Sequence, residues 1–182
     1  MLPQGHLAGG FLVSQAVTHL MGLSGAERWG MVAIGTMAGA TPDADALLYF
    51  AKKRSLRIGE DFKHHAWVTH TLPFHWAIAV FLHMLGLYLG NLFLSRAAIL
   101  YAATATCHLL MDVLGSGDGI MLAWPFSKRF MGIGTLHVHG KNWLRLYRKS
   151  PVFRVERCIR YAALLVLLFQ LAALFLGFTA ER

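Results

Sequence analysis

A chain of 182 residues with 56% hydrophobic and 14% charged side chains and a mean hydropathy of +0.50 is one domain in length and too apolar for an ordinary solvated surface. Its formal charge of +8 fits loops that face anionic lipid, so membrane lipid rather than nucleic acid is the expected partner. Cys107 and Cys158 lie far apart, one in an apolar run and one beside arginines, which excludes a disulfide framework.

No secretory leader is expected, because the first apolar run has no basic stretch before it and no A-x-A-like site after it. Leu7 to Leu23 is about one membrane-length of apolar sequence interrupted by Ser14, Gln15, Thr18 and His19, followed by the polar turn Ser24 to Arg28. Trp29 to Ala40 is a shorter second helix whose end is broken at Thr41-Pro42-Asp43-Ala44-Asp45, before the apolar patch Ala46 to Phe50. Lys52, Lys53, Arg54, Arg57 and Lys63 make a basic loop with Glu60 and Asp61, leading into His64-His65-Ala66-Trp67-Val68-Thr69-His70. Leu72 to Leu94 is the third span. A turn around Ser95-Arg96 is expected before the fourth helix, Ala97 to Leu114. The segment from Gly115 to Arg160 holds nine Lys or Arg residues, and Tyr161 to Phe178 is the cleanest apolar span.

The expected fold is therefore all-α, an integral membrane helical bundle of about five transmembrane helices. It forms a single membrane-embedded domain over 1–182: a core at 1–126, a basic segment at 127–160 and a last helix at 161–182. Lys and Arg concentrate in the loops 51–71 and 115–160, which puts the N-terminus and both loops in the cytoplasm and the C-terminus outside. Trp143, Tyr147 and Phe153 among the arginines of 127–160 make an amphipathic segment that would lie on lipid headgroups and recruit an anionic lipid.

That topology has a chemical consequence. His108 and Asp112 stand four apart in an apolar run, so imidazole and carboxylate share one helix face. A carboxylate there costs roughly 2.5 to 3.5 kcal/mol unless a partner neutralises it. His6 begins the first helix, Asp43 and Asp45 end the second, His65 and His70 precede the third, and His108 and Asp112 end the fourth, all at one membrane face. Small residues four apart, Gly5 with Gly9, Gly35 with Gly39 and Gly86 with Gly90, let the helices approach closely.

Imidazole with carboxylate and no thiolate pair suits Zn, and equally Mn, Fe or Ni, and seven ligands exceed the needs of one tetrahedral ion. Two ions would use them in metal-assisted hydrolysis of a phosphoester, with Asp112, His70 and Asp45 as the residues expected to act in catalysis. His19 and His83 have no acidic or histidine neighbour at helical spacing and are expected to be packing residues, as is Cys107, which points about 100° away from His108. Asp118 reads as a turn residue, and His64, His75 and the pair His137 and His139 are left without an assigned role.

Gly5-His6-Leu7-Ala8-Gly9-Gly10, Pro42-Asp43-Ala44-Asp45, the histidine-rich stretch His65 to Thr71, and His108 to Asp112 followed by Trp124-Pro125-Phe126 together resemble the motifs of one family. The chain is similar to the membrane-bound metal-dependent hydrolases of the YdjM type, also labelled LexA-binding, inner-membrane-associated hydrolases, over roughly residues 5 to 130. That group in turn resembles the zinc-dependent phospholipase C and P1 nuclease enzymes. The resemblance implies that His108 and Asp112 ligate one ion with Asp43 or Asp45 and with His65 or His70, that Asp112 bridges to a second ion held by His6, and that the substrate is a phosphoester or phospholipid. This chain departs from the pattern at Ala66 and Trp67, where arginine and glycine are usual, and at Ala46, where histidine is common. A cation such as Lys63, Lys128 or Arg129 would have to replace the missing arginine.

Two rival readings accompany the hydrolase. One is a non-catalytic membrane metal-binding interaction protein whose basic segment, residues 127 to 160, holds a cytoplasmic protein partner. The other is a metal or proton transporter with His19 and His83 along a polar path.

Overall fold

The computed structural model describes residues 1–54, 64–115, 119–133 and 143–176. Among them the chain is all-helical, with a lone antiparallel bridge between Ile120 and Met131. The helices are α1 (Pro3–Leu20), α2 (Gly25–Ala38), α3 (Ala44–Lys53), α4 (Leu72–Tyr88), α5 (Leu92–Gly115), α6 (Trp143–Lys149) and α7 (Pro151–Phe175). Short 3-10 turns at Thr41–Asp43, His64–Ala66 and Val68–His70 carry the ligand motifs between them.

Polarity is distributed inside out. His6, Ser14, Gln15, Thr18, His70, His75, Thr104, His108, Asp112 and Glu156 are buried, while large apolar side chains such as Phe81, Leu87, Leu165 and Phe169 are exposed. Exposed apolar side chains in this number mark interaction surface, with lipid or with protein, and buried polar groups must satisfy one another. They do so between helices: Gln15 of α1 and Gln170 of α7 exchange amide hydrogen bonds of 3.0 and 2.8 Å, and Arg28 donates to Gln15 at 2.8 Å. Two helices, α5 and α7, are long and apolar enough to cross a membrane, and α4 is a shorter apolar helix.

Several boundaries differ from the expected ones. α1 begins at Pro3, whose fixed φ suits the first helical turn, so His6 sits within the helix. The turn expected at Ser95-Arg96 lies instead at Leu89–Asn91: Gly90 takes a left-handed φ of 63°, and the Asn91 side chain accepts from Leu94 N at 3.0 Å to start α5. α7 starts at Pro151 rather than at Tyr161, capped by Ser150, whose Oγ accepts from Phe153 N at 3.1 Å. The basic segment is therefore partly helical, split between α6 and the first turns of α7.

Far from the ligand motifs, Leu23, Met31 and Leu100 form a small core, and Arg96 pairs with Glu27 at 2.6 Å. At the other end, the stretch after α5 folds back onto the bundle. Ile120 and Met131 pair backbone to backbone, Ile133 N donates to Val113 O, and Leu72 N donates to Leu122 O at 2.8 Å.

Candidate metal site

Helix packing brings the ligands together. α1 and α2 cross where Gly10 and Gly39 touch: a Cβ on Gly39 would lie 3.1 Å from Gly10 Cα, so no side chain fits between them. That crossing presents the Gly39 carbonyl to His108, whose Nδ1 donates to it at 2.7 Å. A carbonyl only accepts, so Nδ1 carries a proton and Nε2 is turned toward the acids.

Around this imidazole the other groups converge. His108 Nε2 lies 3.2 Å from Asp112 Oδ2 and 3.5 Å from Asp43 Oδ1. His6 stacks on His108 with ring centroids 3.6 Å apart, and its Nε2 is 3.1 Å from Asp112 Oδ1. His70 Nε2 lies 3.7 Å from both Asp43 Oδ1 and Asp112 Oδ2. Two groups result, His6 with Asp43 and His108, and His65 with His70 and Asp112, each with its ligand atoms within 4.8 Å of one another. Asp112 belongs to both by distance, one oxygen toward His6 and the other toward His108 and His70. His6, His70, His108 and Asp112 are buried, whereas Asp43 and His65 are partly exposed, so the open side of the site lies at these two. The Met1 ammonium also donates to Asp112 Oδ1, at 2.7 Å.

Asp45 differs from its expected place. It is fully buried, but it stands behind His70 rather than within either group: its Oδ2 is 3.9 Å from His70 Nδ1, and its Oδ1 accepts from Ala46 N at 2.8 Å. The cause is local, since Asp45 lies in the first turn of α3 and Asp43 in the 3-10 turn before it, on different sides of the chain. His75 gains a role that spacing did not reveal. Its Nε2 donates to Thr69 O at 2.7 Å and its Nδ1 meets Tyr101 Oη at 2.6 Å, so both nitrogens are used and the ring tethers the backbone next to His70 to α5.

Of the residues set aside as packing groups, His83 bonds Ser95 Oγ at 2.8 Å and Cys107 Sγ rests 3.9 Å from Met111 Sδ, whereas His19 is not packed but exposed near the end of α1. The side chains of His64 and Trp143, and Lys63, Asp118, His137 and His139, lie outside the described residues. Lys128 and Arg129 are exposed.

Sequence reading missed Glu156. This fully buried carboxylate of α7 accepts from Leu2 N at 3.0 Å and from the Tyr147 hydroxyl, and a Cβ on Gly5 would meet its Cγ at 2.6 Å. Glu156 thus ties α7 to the start of α1, four residues before His6. Burial, and then the bond to Glu156, hold the Tyr147 phenol well above its usual range, so it remains a donor. The available signal was a solitary acid among arginines at the foot of an apolar helix, which reads equally well as a surface ion pair.

No curated protein and no solved structure matches the chain. A family model described as YdjM inner membrane protein matches residues 1–182. With the whole length covered, and with buried histidines and aspartates drawn together from separate helices, the chain belongs to the YdjM inner membrane protein family.

Proposed function

We propose that this protein is a membrane-bound, metal-dependent hydrolase that cleaves a phosphate ester of a membrane lipid at the cytoplasmic face of the inner membrane. The observation that carries the reading is the pair of adjoining His/Asp groups, with Asp112 of one lying 3.1 Å from His6 and 3.2 Å from His108 of the other. A cation fits them: His108 Nε2 and Asp112 Oδ2 are buried and lie 3.2 Å apart without a well-directed hydrogen bond, as expected of donor atoms aimed at an ion.

Zinc is the proposed metal, as one ion or two, since the donors are imidazole and carboxylate; Mn, Fe and Ni share that preference. His6, Asp43 and His108 would hold one ion and His65, His70 and Asp112 the other. When bound, such ions supply Lewis acidity that activates water and polarises a phosphoryl oxygen. The chain does the rest. Gly39 O fixes Nδ1 of His108, His75 and Tyr101 fix the backbone beside His70, and the Asp45 carboxylate lies 3.9 Å from His70 Nδ1 while His70 Nε2 faces Asp43 and Asp112. Substrate would enter beside Asp43 and His65, where the site is open. We extend the same reading to about five crossings, with α1, α2 and α4 joining α5 and α7, and with the N-terminus and basic loops cytoplasmic.

Arg145, Arg148, Lys149, Arg154 and Arg157 are all exposed, which favours a second reading: a non-catalytic metal-holding protein that binds a cytoplasmic partner through this basic surface. The transporter reading gains no support, because His83 is engaged by Ser95 and His19 faces outward. Metal analysis of purified wild type beside His108→Ala, followed by turnover assays on phospholipids and on phosphate monoesters and diesters, tests the hydrolase. Bound metal lost in the variant together with wild-type turnover supports it; metal with no turnover on any phosphoester favours the second reading.

A further inference from the structure

Away from the His/Asp groups, α6 and α7 enclose an open cleft of about 370 Å³ lined by Arg148, Phe153, Arg157, Arg160 and Tyr161. Its volume lies within the roughly 300–1,000 Å³ of small-ligand sites. Three arginines line it, and among the described residues the one carboxylate within ion-pair distance is Glu156, whose Oε1 is 3.9 Å from Arg160 Nη1. The other oxygen of Glu156 is already taken by Leu2 N and the Tyr147 hydroxyl. Among the described residues Arg148 and Arg157 have no acidic partner; the guanidinium of Arg157 instead lies over the Tyr161 ring, 5.7 Å from its centroid.

Ser150 caps α7 between the two helices, Tyr147 and Phe153 meet edge to face at 5.6 Å, and Tyr147 is bonded to Glu156. These three contacts fix α6 against α7, the two helices from which Arg148, Arg157 and Arg160 line one cleft. At helical spacing, Arg157 also shares a face with Phe153 and Tyr161, which makes one wall of the cleft apolar and its mouth cationic.

We infer that this cleft is a binding site for a phosphate anion, held bidentately by the arginines, with the two aromatic rings against its organic substituent. The phosphate can belong to a lipid headgroup or be free in solution; the recognition chemistry is shared. The site stands whether or not the His/Asp groups support hydrolysis, because it needs none of them. Its position beside Glu156, which also binds Leu2, puts it next to the start of α1, so under the hydrolase reading it is where an anionic substrate would first be captured.

The test uses the full chain in neutral detergent micelles, titrated calorimetrically with inorganic phosphate, dihexanoyl phosphatidic acid, or dihexanoylglycerol as the phosphate-free control. Saturable binding of either phosphate probe, and none of the control, is expected. The double variant Arg148→Gln with Arg157→Gln should lose about tenfold or more of that affinity, while Lys52→Gln with Arg54→Gln, the same charge change elsewhere, should stay within about twofold. Both pairs are exposed, and melting temperatures near wild type would confirm folding. Tighter binding of the lipid probe identifies a headgroup, and equal binding identifies free phosphate; either supports the site. Absence of saturable binding, equal loss in the two double variants, or loss of binding after chelation of bound metal overturns it, the last because the anion would then be held by the metal centre.

Discussion

α5 and α7 are alike in length and apolarity, yet 44% of the apolar window of α5 is buried against 6% of that of α7. α5 carries Ala98, Thr104, Ala105, His108, Met111 and Asp112 inward, with small and polar residues where neighbouring helices come close. α7 turns leucines and phenylalanines outward along most of its length and does its polar work at its foot, through Glu156 and the arginines, and at Gln170. Apolarity alone therefore says that a helix belongs in lipid, while the position of its few polar residues says which helix builds the centre.

The comparison breaks most visibly at the inward face of α5. His108→Ala removes the imidazole that faces both acids, and metal content by elemental analysis should fall from about two equivalents to one or none. Asp112→Asn should abolish phosphoesterase turnover while the helical signal by circular dichroism is retained, since the amide keeps the shape and loses the charge that His6, His70 and His108 face. Gly39→Ala wedges α1 from α2 at a 3.1 Å contact. A stability loss of about 1–3 kcal/mol on thermal unfolding in detergent, with metal affinity lowered about tenfold as the carbonyl leaves His108, is expected. His75→Phe frees the backbone beside His70 and should weaken metal binding by roughly tenfold in a competition titration with a chelator. On α7, Leu165→Ala or Phe169→Leu should change stability by no more than about 0.5 kcal/mol, because these side chains face outward.

Much of this contrast was legible in the sequence. Apolar runs located the helices, and alternating them brought His6, Asp43, His65, His70, His108 and Asp112 to one end, where the structure gathers them. Helix starts were less legible: Pro3 and Pro151 open helices inside stretches that look like polar flanks, because a first turn has no use for the amide proton that proline lacks. Asp45 could not be told from Asp43 by spacing, since a 3-10 turn meets an α-helix between them and the periodicity changes. His75 and Glu156 act through partners 26 and 154 residues away, Tyr101 and Leu2, and local pattern carries no information about such pairs.

The two groups draw on residues from His6 to Asp112, with a backbone carbonyl from the end of α2 holding Nδ1 of one ligand. No fragment that stops short of Asp112 contains the donors for both. Assembly order follows: His6 is made more than a hundred residues before the carboxylate it faces. The centre is complete only once α5 has been made, and the contacts that tie α7 to α1 come later still.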